Sequence, residues 1–350
     1  MASEEPPSFL NRLAGAPSLT VSTTPPNGDR DPRGVAVVPP GFPGGGAVRV
    51  GDALVSNYAD AQGVQGRGRT IVLVTPAGSA STFFEALPEL GPVGLTGALV
   101  VLRAGLVVVG TTPAERGTAG SAASGGLIFL DRAGNVLATL ADSMLLRGPW
   151  AASVDDTRPL APVLYVANAL DGTLTRVNLA MERAGSGLAP TVVGLTRVAS
   201  GFAHGTAPDG ALVGPTGLVL SPSLTGIYVA DSGNNRVQLV AGVRQATATR
   251  GPGATVVAGA PLRGPAGTAP SSAGTLLSAS SDAVAGGATP QNLVVEFFPR
   301  GGRLVATRQL DPGAAEALFG LAIKVFGGRP SLLYANRHLA TLGVVPQRSA

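Results

Sequence analysis

The sequence predicts an all-β fold. Three observations carry that expectation: dense chain breakers, a core of small aliphatic side chains, and a short apolar pattern that recurs six times. The 350 residues include 50 Gly and 29 Pro, which interrupt the chain too often for long helices. Apolar residues make up 45% and charged residues 13%, a balance that favours a folded core over disorder. Aromatics supply only 4%, so Val, Leu, Ala and Ile must build that core, and the β-branched share favours sheet.

The recurring pattern is an apolar run that ends in a small or polar residue. It reads Ala53 to Asn57, Leu106 to Gly110, Leu164 to Asn168, Ile227 to Asp231, Leu276 to Ser280 and Leu332 to Asn336. The spacing, about 50 to 60 residues, is that of a repeat architecture. A strand that often opens on Gly-Pro or Pro-x-Gly precedes the run, as at Pro32 to Val35, Gly148 to Ala151 and Gly214 to Leu218. A third strand follows a Gly, Asn or Asp turn: Thr70 to Val74, Gly126 to Leu130, Leu174 to Leu179, Arg236 to Val240, Leu293 to Phe297 and Thr341 to Val345. Fourth strands are expected at Ser81 to Phe84, Val136 to Leu140, Val192 to Ala199, Thr255 to Ala260 and Leu304 to Leu310. Six four-stranded antiparallel units in series imply a six-bladed β-propeller, in which sheet-on-sheet packing buries both faces of the inner strands and makes continuous apolar runs natural.

The sixth unit runs out of chain after Val345 with three strands. Ser18 to Thr23, β-prone and just ahead of the first unit, is expected to supply the fourth and close the ring. The predicted organisation is a flexible N-terminal segment over 1–17, the propeller over 18–346 and a short tail over 347–350.

Several function classes lose support at this stage. With no Cys there is no disulfide scaffold, thiolate site or cysteine nucleophile. The formal charge of +4 comes from scattered Arg with Lys324 as the sole lysine, and lacks the dense basic stripe of a nucleic-acid surface. Leu95 to Val109, the most apolar stretch, is broken by Gly97, Arg103 and Gly105, so no membrane span is expected. Met1 to Leu10 holds Glu4 and Glu5 and no apolar leader.

The fourth unit, from Gly214 to Val240, resembles the NHL repeat, with the hallmark run Tyr228-Val-Ala-Asp-Ser-Gly-Asn-Asn-Arg-Val237 present without a gap. Val35 to Val74 and Trp150 to Leu179 are weaker versions, and the chain is similar to uncharacterised bacterial NHL-type propeller proteins. The resemblance implies a six-bladed ring and, since such proteins are often exported, an extracytoplasmic location. It implies little about chemistry.

Asn57, Asn168, Asp231 and Asn336 close equivalent runs, as oxygen ligands converging on the axis would, or as side chains that hold the next tight turn; the second role is the commoner one. The ring also resembles calcium lactonases and gluconolactonases, which place Asp, Asn and Glu where the innermost strands enter the central channel. Here those entrances read Arg33, Thr96, Trp150, Thr216, Pro265 and Phe319, with no carboxylate. The zinc-dependent amidating lyase of the NHL group needs several His, and only His204 and His338 exist. No Gly-x-Ser-x-Gly elbow, His-Glu-x-x-His or phosphate loop is present. The expectation is a monomeric, non-enzymatic propeller without cofactor or metal, with a metal-dependent hydrolase or lyase as the alternative. Its loop face, holding Arg33, Arg147, Trp150, Thr216, Arg263 and Phe319, is expected to meet a small molecule or a protein. A Trp that merely plugs the channel is the competing expectation for Trp150, and pairing with acidic loop residues the competing one for Arg147 and Arg263.

Overall fold

Each recurring apolar run is the second strand of a four-stranded antiparallel sheet, and in five of these six sheets the strands lie side by side in sequence order. The computed structural model describes residues 8–87, 93–114, 122–185, 187–206, 212–282 and 291–349. The opening seven residues of the segment predicted as flexible, and residue 350 of the predicted tail, lie outside the described residues.

Blade 1 comprises Arg30–Val37, Ala53–Ala59, Thr70–Val74 and Ala80–Glu85, and blade 2 Leu95–Leu102, Leu106–Thr111, Gly126–Leu130 and Val136–Leu140. Blade 3 comprises Pro149–Asp155, Val163–Asn168, Thr173–Ala184 and Gly187–Ser200, and blade 4 Pro215–Leu220, Gly226–Asp231, Arg236–Ala241 and Ala254–Ala258. Blade 5 comprises Pro265–Pro270, Leu276–Ser280, Leu293–Phe297 and Leu304–Gln309. Blade 6 comprises Leu318–Lys324, Ser331–Asn336 and Thr341–Pro346, and Leu19–Ser22 pairs antiparallel with the third of these as its outer strand. The ring is therefore closed by the N-terminal strand that the sequence designates. A two-stranded hairpin, Gly205–Thr206 with Leu212–Val213, sits between blades 3 and 4 and has no counterpart among the expected strands.

Burial follows radial position. Ala53–Ala59 and Thr70–Val74 are buried along their whole length, whereas the outer strand Val136–Leu140 is exposed or half-buried throughout. Apolar side chains of neighbouring blades interlock in the gaps, as where Leu73, Phe84, Leu99, Val107 and Ile128 join blades 1 and 2. The innermost strands touch in a closed circuit, Arg30–Val37 contacting both Leu95–Leu102 and Leu318–Lys324.

That circuit is tight enough to specify glycine. A Cβ on Gly34 would lie 3.2 Å from the Thr96 carbonyl oxygen, on Gly97 2.9 Å from that of Trp150, and on Gly217 2.1 Å from that of Ala266. On Gly267 it would lie 2.1 Å from the Phe319 oxygen and on Gly320 2.7 Å from the Arg33 oxygen, so one glycine contact recurs from blade to blade. Blade 3 alone places a side chain there, Ala151.

Two registers differ from the sequence reading. Pro265 pairs with Ser280 and a bulge follows, so the blade 5 entrance residue equivalent to Thr216 is Ala266. Leu95 pairs with Thr111, which makes Thr111, not Gly110, the counterpart of Asn57 in blade 2. In both places the bulge sets the alignment, and spacing along the chain does not show where the extra residue falls. Residues 8–14 of the stretch read as flexible are seated: Phe9, Leu10 and Leu13 are at most 2% exposed in the core between blades 5 and 6. In the tail, Leu13 bridges Gln347, and the Arg348 amide donates to the Arg12 carbonyl.

Candidate functional site

Every innermost strand carries a register shift at its entrance, between Pro32 and Gly34, Leu95 and Leu99, Pro149 and Ala151, Pro215 and Gly217, Pro265 and Thr268, and Leu318 and Leu321. A bulge there re-aims a side chain out of the sheet. Four of the six predicted site residues, Arg33, Trp150, Thr216 and Phe319, consequently line one small space at the mouth of the axis. Thr216 is held by donating to the Pro265 carbonyl at 2.9 Å, and Thr96 donates likewise to the Pro149 carbonyl at 2.7 Å.

The four are packed against one another rather than displayed. Trp150 is 3% exposed, Arg33 5%, Thr216 8% and Phe319 9%. The Arg33 guanidinium lies 3.8 Å from the centre of the Phe319 ring, 5.7 Å from that of Tyr58 and 5.8 Å from that of Trp150. Tyr58 meets Trp150 edge to face with centroids 4.9 Å apart. Asp31 neutralises the buried cation, with Arg33 Nε 2.8 Å from its carboxylate, and also forms an ion pair with Arg337, whose Nε lies 3.1 Å away. Arg337 further pairs with Glu316. Burial pushes the Tyr58 phenol well above its ordinary range, so it stays a neutral donor, to the Thr112 carbonyl at 3.3 Å.

The mouth that remains has a volume of about 10 Å³, room for one water, and the space beneath it about 70 Å³. Small-molecule sites run from roughly 300 Å³ upward. Side-chain packing thus closes the axis, in the manner of the channel-plugging alternative for Trp150.

Arg147 and Arg263 occupy the same Leu-Arg-Gly-Pro position on the rim and meet different surroundings. Arg263 pairs with Asp282 at 3.1 Å. Arg147 is exposed and, among the described residues, its side chain reaches the Ser143 carbonyl, at 3.4 Å. Asp31, Tyr58, Glu316 and Arg337 were not singled out from the sequence, although the Asp31 and Arg33 spacing in a strand was a signal.

The recurring Asn and Asp positions serve turns and blade contacts. Asp231 accepts the Ala203 amide, Asn234 Nδ2 and Arg236 Nε. Asn168 Nδ2 reaches the Leu145 carbonyl, Thr173 and Thr175, while the Asn336 oxygen accepts the Leu339 amide. Asn235, at φ 51, donates to the Leu262 carbonyl and accepts the Gly264 amide, tying the turn after Gly226–Asp231 to the next blade.

A hard cation does not fit these residues, since the mouth's carboxylates, Asp31 and Glu316, are both engaged by arginines. His204 lies beside the Phe202 carbonyl and His338 beside Asp311. Among the described residues, no three His, Cys, Asp or Glu side chains are grouped as a metal centre would require.

No protein-family model and no curated protein sequence matches this chain. Solved structures match its fold. A glucose dehydrogenase superposes with a TM-score of 0.52 at 16% identity, over 92% of this chain and 98% of its own. A luciferin-regenerating enzyme gives 0.50 at 12% identity, over 95% of each chain. An inactive virginiamycin B lyase from Staphylococcus aureus, with quinupristin, gives 0.49 at 12% identity, over 94% of this chain and 99% of its own. At these identities the likeness to the first two shows the propeller fold alone and nothing of its chemistry.

Proposed function

We propose that this chain is a non-enzymatic, NHL-like propeller that presents the loop face around its closed axial mouth to a protein partner. The packed cluster of Arg33, Tyr58, Trp150 and Phe319 carries this reading, because the spaces of about 10 and 70 Å³ it leaves among the described residues are far smaller than a small-molecule site. Recognition then falls to the rim, where Arg147 is exposed and Arg263 half-buried, and Arg is the side chain best suited to bidentate contact with carboxylates. The NHL assignment rests on the hallmark run Tyr228 to Val237 and on the turn and blade contacts of Asp231 and Asn235. A monomer acting outside the cytoplasm is part of the same reading.

The rival is a propeller hydrolase or lyase with a metal on the axis. Metal analysis of the purified chain separates the two: a divalent cation retained at one per chain would overturn the binding reading. Cross-linked capture then tests the face, since a partner held by the native chain should be lost by Arg147→Glu. Retention of that partner by the variant would place recognition elsewhere.

A further inference from the structure

The face opposite the plugged mouth carries an asymmetry. The third and outer strands of blade 3, Thr173–Ala184 and Gly187–Ser200, have 12 and 14 residues, against 5 and 5 for their counterparts in blade 2. The surplus projects past the end of the blade. It stands over the short turn at Asp131–Ala133 and the loop at Pro43, and with them borders an open, cleft-like cavity of about 690 Å³. Two other gaps between blades are filled from within: Phe42 and Val48 pack between blades 1 and 2, and Phe9, Leu10 and Leu13 between blades 5 and 6.

Strand alternation gives this cavity its chemistry. Val177, Leu179 and Met181 pack toward blade 2, and Arg183, next in the alternation, continues their face beyond the end of the blade with Leu188 directly opposite. Glu182 projects from the other face by the same alternation. The Asp131 carboxylate is consumed by its own turn, accepting the Ala133 and Asn135 amides and Asn135 Nδ2. Those bonds hold its carboxyl below the usual range, against the opposing effect of burial. Arg132 donates to the Gly44 carbonyl, and neither it nor Arg183 has an ion-pair partner among the described residues. Leu160 and Leu137, 62% and 37% exposed, line the wall.

We infer that this cavity binds a small apolar carboxylate, its head between Arg183 and Arg132 and its apolar body against Leu137, Leu160, Met181 and Leu188. Charge complementarity selects an anion. Size selects a small molecule, because the volume falls within the roughly 300–1,000 Å³ of such sites. A protein partner would need about 800 Å² of contact surface, while the exposed large apolar side chains lining the cavity are Leu137 and Leu160. This site is independent of the rim proposed above, and neither result bears on the other.

Calorimetric titration of the full chain with octanoate, and with octylammonium as a probe of equal tail and opposite charge, tests it. Octanoate should bind saturably at one site, at least about tenfold tighter than octylammonium. Arg183→Glu should weaken octanoate by about tenfold or more and favour octylammonium. Leu160→Asp should weaken octanoate while leaving the melting temperature unchanged, the Leu160 side chain being 62% exposed. No saturable octanoate heat, equal binding of the two probes, or binding that neither variant alters would overturn the assignment.

Discussion

Glu296 shows how much a single side chain can do without a motif to announce it. It is fully buried in the third strand of blade 5, and its carboxylate accepts Ser8 Oγ, the Phe9 and Leu10 amides and Thr275 Oγ1 at 2.6 to 3.0 Å. At the other end of the same segment, Arg308 Nη2 donates to the Gly15 carbonyl at 3.0 Å and Arg348 Nε to that of Leu13 at 3.0 Å. The carboxylate thus takes the amides at the start of the turn and the guanidinium groups take the carbonyls at its end. Glu296→Ala should cost about 3 kcal/mol in denaturant unfolding, because it orphans buried amides, and should raise hydrogen exchange at Phe9 and Leu10. Asp29 gives a pH signature. Burial raises its carboxyl above the ordinary range despite hydrogen bonds from the Arg69 amide, Thr70 and Asn27. The fold therefore holds this proton more tightly than the unfolded chain does, and the associated stability is full at low pH and lost as pH rises through the folded-state value. Relative to the native chain, Asp29→Asn should gain melting temperature as pH is raised from the ordinary carboxylate range toward neutrality; a difference independent of pH would refute this.

At the scale of the strand, the entrance of every innermost strand except that of blade 3 combines a bulge with a glycine that faces the next blade's carbonyl. The Pro-x-Gly pattern was visible in the sequence, but the physical requirement behind it was not. Gly267→Ala would place a methyl group 2.1 Å from the Phe319 oxygen and 3.0 Å from the Leu321 nitrogen, atoms of backbone that cannot rotate away. It should destabilise by about 2 kcal/mol or more, measured by thermal melting, whereas Gly274→Ala has only the left-handed backbone at φ 78 to oppose it and should cost about 1 kcal/mol. The same periodic reading placed the third and outer strands of blade 3 at Leu174 to Leu179 and Val192 to Ala199, well short of Thr173–Ala184 and Gly187–Ser200. The hairpin that builds the second cavity was missed because its tip, Glu182 to Gly185, is polar or small and carries no apolar alternation.

For the whole molecule, closure comes from two N-terminal devices that are separable. Leu19–Ser22 completes blade 6, and residues 8–14 wedge blades 5 and 6 apart from solvent. Deleting residues 1–17 removes three buried apolar side chains, about 2 kcal/mol each, and should lower the melting temperature while leaving one cooperative transition. Deleting residues 1–25 also removes the outer strand of the last blade and should lower it further, with broadening as the ring loses its clasp. Equal melting of the two truncations would show that the strand contributes nothing to closure.

What the sequence determined by itself was the local and the periodic: six repeats, four strands in each, a missing strand and the segment to replace it. Those features depend on hydrophobic period and turn residues, which are properties of neighbours along the chain. Only the tertiary structure decided that Arg33, Trp150, Thr216 and Phe319 face inward and close the axis, that Arg147 stays in solvent while Arg263 finds Asp282, and that Glu296 holds the N-terminal segment. Each depends on residues brought together from different blades, Glu296 and Phe9 being 287 positions apart, and no pattern in a single repeat encodes which distant side chain will fill the space at the centre of the ring.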